Sequence, residues 1–335
     1  MASRELLGLA VQRMPALRPD EKLLLWDLVS DEASFASLSR PDLQSILGRR
    51  LEAASWTCSG LLAEAESDAA FLARIGAFHL RFDDPRYPAA LREAFRAPFG
   101  LYCRGLPPPQ DRPCAAIVGT RLPTGRGLEA AIALASGLAA AGIPVASGLA
   151  RGIDAAAHRG ALRERGYTCA VLPCGLDAVY PPSNRSLAAA IVESGGLLAT
   201  EYPPGSAMHK YRFPERNRII AGLARACVVV EAPLGSGALI TAEHALQEGR
   251  DVWVSKACLG GSRSAGLDRL ASEGAPALED AAGLLADWGL LPPSSAARGR
   301  AAGSAPAPAE GGRLASSLRG ELGLEEAESA GAACG

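Results

Sequence analysis

From residue 113 onward the chain alternates short uninterrupted apolar runs with longer amphipathic stretches. The runs fall at 115–118, 143–146, 167–172, 197–200, 226–231 and 252–255. Between them, 125–141, 153–165, 187–193, 213–224 and 238–248 carry apolar residues at helical spacing. A strand that is apolar at every position is buried on both faces, the condition of a parallel sheet covered by helices. With right-handed crossovers the pattern predicts an α/β fold: a doubly wound, mostly parallel, Rossmann-like sheet over 113–290.

The first part of the chain has a different rhythm. Between residues 21 and 74, Leu23, Leu24, Leu25, Trp26 and Leu28 supply one helical apolar face, and Leu43, Ile46 and Leu47 another. Ser30, Asp31 and Glu32, and again Ser39, Arg40, Pro41 and Asp42, place capping side chains and acidic residues at the head of such a pattern. A small helical domain is expected over 1–75. Residues 76–112 hold Pro85, Pro88, Pro98 and Pro107 to Pro109 and read as an irregular connector. Past Trp288 the composition collapses to Ala, Gly, Ser, Pro and Glu, so 291–335 is expected to be a disordered tail. A short helix through Leu314, Leu318, Leu322 and Leu324 is the one exception expected there.

Composition narrows the function classes. A net charge of -2 gives no global attraction for a polyanion, so any nucleic-acid site must be a local patch. The eight cysteines are scattered, with no CxxC pair and no Cys/His cluster at ligand spacing, so neither a metal site nor a cofactor is expected. The N-terminus lacks a basic stretch followed by an apolar core, and no uncharged apolar run reaches membrane-spanning length. A cytoplasmic protein is the expectation.

Candidate chemistry lies in the turns. In a doubly wound sheet the turns after successive strands converge on one crevice. Three are rich in small residues: Gly119, Thr120 and Arg121; Ser147, Gly148 and Gly152; Gly235, Ser236 and Gly237. Glycine lets backbone amides approach an anion, and the helix that follows adds partial positive charge. One such turn alone is weak, because tight strand-to-helix turns need glycine for steric reasons; three on one edge are stronger. Arg121 beside a helix start suits bidentate phosphate binding.

The densest signal is the stretch 208–218, with Lys210, Tyr211, Arg212, Phe213, Arg216, Asn217 and Arg218 around Pro214 at a helix start. Cations for phosphates beside aromatic faces for unstacked bases are what single-strand binding needs. A solvated helix start with Phe213 in the core is the plainer alternative.

No catalytic set emerges. Asp154 and His158 share a helix face, but a carboxylate in a first helical turn stabilises the helix, and His158 can be satisfied by a neighbouring loop. No nucleophile elbow and no Walker lysine are present.

In this order, these residues resemble the DNA-processing protein A (DprA/Smf) family. The similarity runs from Tyr87 to Ala275 and takes in Val118 to Arg121, Ser147 to Ala150, Gly152 to Asp154, His158, Gly175 to Asp177, Tyr180, Pro181, Glu201 and Tyr202. Phe213, Pro214, Arg216 to Gly222, Glu231, Ser236, Gly237 and Thr241 complete it. The resemblance implies a dimeric, non-enzymatic protein that binds and shields incoming single-stranded DNA in natural transformation and helps load the RecA recombinase. It implies that Gly119, Thr120 and Arg121 hold a phosphate, with Arg216, Asn217 and Arg218 near the strand.

The sequence departs from the family pattern at Lys256 and Ala257, where Pro-Gly is usual, and at Asp268, which adds negative charge toward the expected ligand edge. The winged-helix module common at the family's C-terminus is not recognisable in the tail. A nucleotide phosphoribohydrolase, with Glu243 catalytic, and a nucleotide-sensing scaffold are the competing classes.

Overall fold

The computed structural model describes residues 2–15, 17–52 and 55–290. The expected tail at 291–335, with its helix through Leu314 to Leu324, lies outside the described residues.

Five helices open the chain: α1 (Ala2–Arg13), α2 (Pro19–Leu28), α3 (Glu32–Ser37), α4 (Arg40–Leu47) and α5 (Cys58–Ile75). The caps anticipated for α3 and α4 form: Asp31 accepts from the Ser34 amide at 2.7 Å, and Ser39 and Asp42 make a reciprocal capping box. Their apolar faces, including Leu7, Val11, Leu25, Phe35, Leu43, Leu61 and Leu72, enclose a core completed by Phe99 and Tyr102 from beyond residue 75.

The stretch expected to be an irregular connector corrects the reading. It holds β1 (Ala77–Arg81), the single-turn α6 (Ala89–Arg92) and β2 (Gly100–Gly105). The prolines that argued against regular structure sit at element ends, Pro88 at the N-cap of α6 and Pro98 two residues before β2, where the missing N–H is harmless. β1 pairs antiparallel with β2, Ala77 opposite Arg104, and β2 pairs antiparallel with β6, Tyr102 opposite Thr200. The helical unit is therefore joined to the sheet through shared strands.

The remainder follows the alternation in sequence: β3 (Ala115–Val118), α7 (Gly125–Ala140), β4 (Val145–Ser147), α8 (Ile153–Arg163), β5 (Thr168–Val171), α9 (Arg185–Glu193) and β6 (Leu197–Thr200). It continues through α10 (Arg212–Leu223), β7 (Ala226–Val229), α11 (Gly237–Gln247), β8 (Asp251–Ser255), α12 (Ala265–Ser272), β9 (Ala277–Leu278) and α13 (Ala281–Asp287). The nine-stranded sheet runs β1-β2-β6-β5-β4-β3-β7-β8-β9, parallel from β6 to β9. The central strands β3 to β7 are buried along their whole length, as uninterrupted apolar runs require.

The chain steps outward from β3 to β6 and then crosses back through α10 to place β7 on the other side of β3. The order reverses between β3 and β7, and a crevice opens beyond their carboxyl ends at such a switch point. No helix among the described residues is long and apolar enough to cross a membrane.

Candidate nucleic-acid interface

The crevice at the switch point encloses about 420 Å³. Its walls are the turn after β3, the turn after β7 and one face of α10. Gly119, Thr120, Arg121, Phe213, Arg216, Asn217, Gly235, Ser236 and Gly237 all line it. A second groove of about 310 Å³ adjoins it, walled by Gly148, Arg151, Tyr180 and Pro181, with Arg121, Leu122, Ala150 and Phe213 common to both.

The first two turns press against each other. A Cβ on Gly119 would lie 2.5 Å from Ile153 Cγ1, and one on Gly152 would lie 2.4 Å from the Thr120 carbonyl. The Thr120 amide is spent on the Glu231 carbonyl at 2.7 Å, and its hydroxyl accepts from the Leu122 amide. Gly119 makes room for the Ile153 side chain and Gly152 for the Thr120 backbone, and the side chain of Arg121 is what this turn offers a ligand.

The third turn is different. Gly235 has φ +71, a left-handed conformation, and neither it nor Gly237 has anything within 4 Å of an added Cβ. Their amides make no hydrogen bond among the described residues, and they stand at the head of α11, where helix polarity favours an anion.

Charge is concentrated on α10. Residues 213, 216, 217 and 220 share one helical face and line the crevice. Arg216 is buried; it donates to the Val171 carbonyl at 2.9 Å, and its Nε has no partner among the described residues. Gly148 makes room for it, since a Cβ there would fall 1.7 Å from Arg216 Nη1. Burial lowers the Arg216 guanidinium to about 10, with Asp154 pulling up and Arg121 pushing down. Asp154 is raised by burial, opposed by Arg216 and by hydrogen bonds from the amides of Ala150 and Gly148. Asn217 donates to the Gly237 carbonyl at 3.2 Å and ties α10 to the third turn.

At the shared wall the Arg121 guanidinium lies 4.7 Å from the Phe213 ring centroid, and Tyr180 meets the same ring edge-on at 5.7 Å. Phe213 is half-buried at the mouth of the crevice and outside the packed core. Lys210 is exposed, three residues before Phe213 in the chain.

Four of the expected contacts, Ser147, Gly152, Lys210 and Arg218, line neither the crevice nor the groove. Ser147 is fully buried and donates its hydroxyl to the Ile117 carbonyl at 2.7 Å. Arg218 stands about 100° round α10 from Asn217, bonded to the Glu201 carboxylate and the Arg96 carbonyl. Ser147 and Arg218 hold the protein together.

Glu231 and Glu243 also lie outside the crevice lining. Glu231 accepts from the Thr124 amide at 2.8 Å, and Glu243 is buried in α11 beside Gln247. Asp268 is engaged by the Gly260 amide at 2.8 Å and the Ser264 hydroxyl at 2.6 Å, so its charge is spent on its own loop. Sequence reasoning missed Leu122, Asp154, Tyr180 and Leu234 as lining residues; only the meeting of separate turns brings them in.

The Rossmann-like α/β sheet thus carries two arginines, free helix-head amides and an aromatic wall at its switch point, groups whose chemistry complements an anion. The family model for DNA recombination-mediator protein A matches residues 78–289, and the chain belongs to that family. Protein Smf of Synechocystis is 43% identical over 214 residues, covering 63% of this chain and 54% of that protein. The chain thus matches about half the length of that relative. Among solved structures, DNA processing protein A of Streptococcus pneumoniae superposes with a TM-score of 0.66 at 33% identity, covering 83% of this chain and 95% of that one. Its Helicobacter pylori counterpart, described for its single-stranded DNA binding mode, gives 0.56 at 28% identity over 63% of this chain and 95% of that one.

Proposed function

We propose that this protein binds single-stranded DNA along the crevice and its adjoining groove, as a mediator of recombination. The observation that carries the reading is the shared wall of Arg121 and Phe213: a cation for a phosphate beside an aromatic face for an unstacked base. Arg216 and the free amides of Gly235 and Gly237 extend the phosphate track, with exposed Lys210 as a further cation before α10; Gly119, Thr120, Gly148, Asn217 and Ser236 shape it, and Gly152 packs against the Thr120 carbonyl behind it. The H. pylori relative's described single-stranded DNA binding supports the same chemistry here.

In this reading the protein acts in DNA uptake and natural transformation. It works in the cytoplasm as a homodimer, shields the incoming strand and helps load the RecA recombinase, with a binding role and no catalysis. Family membership supports the recombination role.

Fluorescence anisotropy with labelled oligothymidine over a range of salt concentrations tests the binding. Tight, salt-dependent association that exceeds duplex binding is expected, and affinity equal for duplex and single strand overturns the reading. RecA filament formation on oligothymidine coated with single-strand-binding protein, with and without this protein, tests the loading role. Sedimentation velocity tests the dimer.

A further inference from the structure

Besides the core they share with β1 and β2, the N-terminal helices reach the segment that leads into α10 through two side-chain hydrogen bonds. At the end of α1, Gln12 donates its side-chain amide to the Glu201 carbonyl at 2.8 Å, and Arg13 donates to the Pro204 carbonyl at 3.2 Å. Both residues are anchored behind. Arg13 is held in a two-pronged pair by Asp68 of α5, at 2.6 and 2.7 Å, and Asp68 is almost fully buried. Lys22 of α2 donates to the Gln12 carbonyl at 2.6 Å.

On the far side of the segment, the Glu201 carboxylate grips Arg218 of α10, and Arg218 also binds the Arg96 carbonyl. The two points of attachment, 201–204 and 218, therefore bracket Lys210, Phe213, Arg216 and Asn217. None of Gln12, Arg13, Lys22, Glu201 or Arg218 lines the crevice or the adjoining groove.

We propose that α1 is the positioning element of the DNA site: Gln12 and Arg13 hold segment 201–218 so that Lys210, Phe213 and Arg216 are aimed together, raising affinity for the strand without touching it. The proposal rests on the single-stranded DNA reading of the crevice. Its physical basis is that 205–211 lies between β6 and α10 outside any helix or strand; besides the bonds of the Gly205 amide to Asp177 and of Arg212 to the Ala207 carbonyl, what holds its ends sets its conformation. Removing a grip widens the ensemble, and binding must then order it.

The test uses the full chain with Gln12→Leu and Arg13→Lys. Leucine keeps the volume of the buried glutamine and removes an Oε1 that has no partner. Lysine keeps a charge opposite Asp68 and lacks the fork that serves Asp68 and Pro204 together. Oligothymidine affinity is expected to fall about three- to tenfold in each variant, with the slope of affinity against salt unchanged, because no phosphate contact is lost.

Hydrogen exchange on the free protein is expected to show faster exchange confined to 201–213. Unchanged affinity, or a slope that falls as it would for a lost phosphate contact, overturns the proposal. If wild type does not bind oligothymidine at all, the functional reading fails, and the exchange measurement still decides whether α1 orders the segment. Should Gln12→Leu not fold, Arg13→Lys carries the test alone.

Discussion

The Arg121 guanidinium lies over the Phe213 ring, 4.7 Å from its centroid, although one comes from the turn after β3 and the other from the first turn of α10. The contact gives Arg121 a fixed height above the crevice and leaves part of the ring exposed. The two side chains make separable demands on a strand. Arg121→Ala is expected to lower the salt slope by about 0.7, the increment for one phosphate on a single strand. Phe213→Leu is expected to weaken binding by about 1–3 kcal/mol with little change in slope, because stacking releases no counterions. Salt titrations of both variants with oligothymidine check the pair of outcomes.

Gly148 and Arg216 form a second dependent pair. Any side chain at 148 occupies the guanidinium's place, and Arg216 cannot swing aside without leaving the Val171 carbonyl unpaired and Asp154 without its nearby cation. Gly148→Ala is expected to cost about 1–3 kcal/mol in stability and to weaken oligothymidine binding more than Arg121→Ala does. Urea unfolding followed by anisotropy on the folded variant measures both.

The parallel sheet and its three glycine turns were legible because each depends on local pattern: apolar runs such as Ala115 to Val118, and small residues at strand ends. The antiparallel edge was not, since β1 carries His79 and Arg81 and β2 is set among prolines, so neither shows clean alternation. Arg218 was misjudged for a reason the sequence did contain. A helical period places 213, 216, 217 and 220 on one face and turns 218 away. Ser147 needed the third dimension, because its neighbour Ile117 belongs to a strand thirty residues earlier.

That distinction predicts opposite behaviour for two arginines that look alike in sequence. Arg218→Ala removes a pair whose side chains are 11% and 20% exposed and strands the Glu201 carboxylate. A loss of about 1–3 kcal/mol in stability is expected, with weaker oligothymidine binding and an unchanged salt slope. A slope reduced as for Arg121→Ala would return Arg218 to the strand.

His158 provides a pH signature of the fold beneath the site. Its Nδ1 is 2.7 Å from the Thr168 hydroxyl, which itself donates to the Val145 carbonyl at 2.9 Å. The hydroxyl proton being committed, Nδ1 carries the ring proton and Nε2 is bare and buried. Burial, reinforced by Arg216 and Arg159, lowers the group to about 3. The unfolded chain takes up a proton near pH 6.5 and the folded chain does not, so the unfolded state binds more protons below that value. Stability is therefore lost as pH falls from about 6.5 toward 3, by up to ~1.4 kcal/mol per pH unit from this residue. His158→Asn keeps a donor toward Thr168 and cannot titrate. Urea unfolding at pH 7, 5.5 and 4.5 is expected to show the stability advantage of wild type over this variant shrinking as pH falls, and a gap constant across that range would mean that His158 takes up its proton as readily in the folded protein as in the unfolded chain.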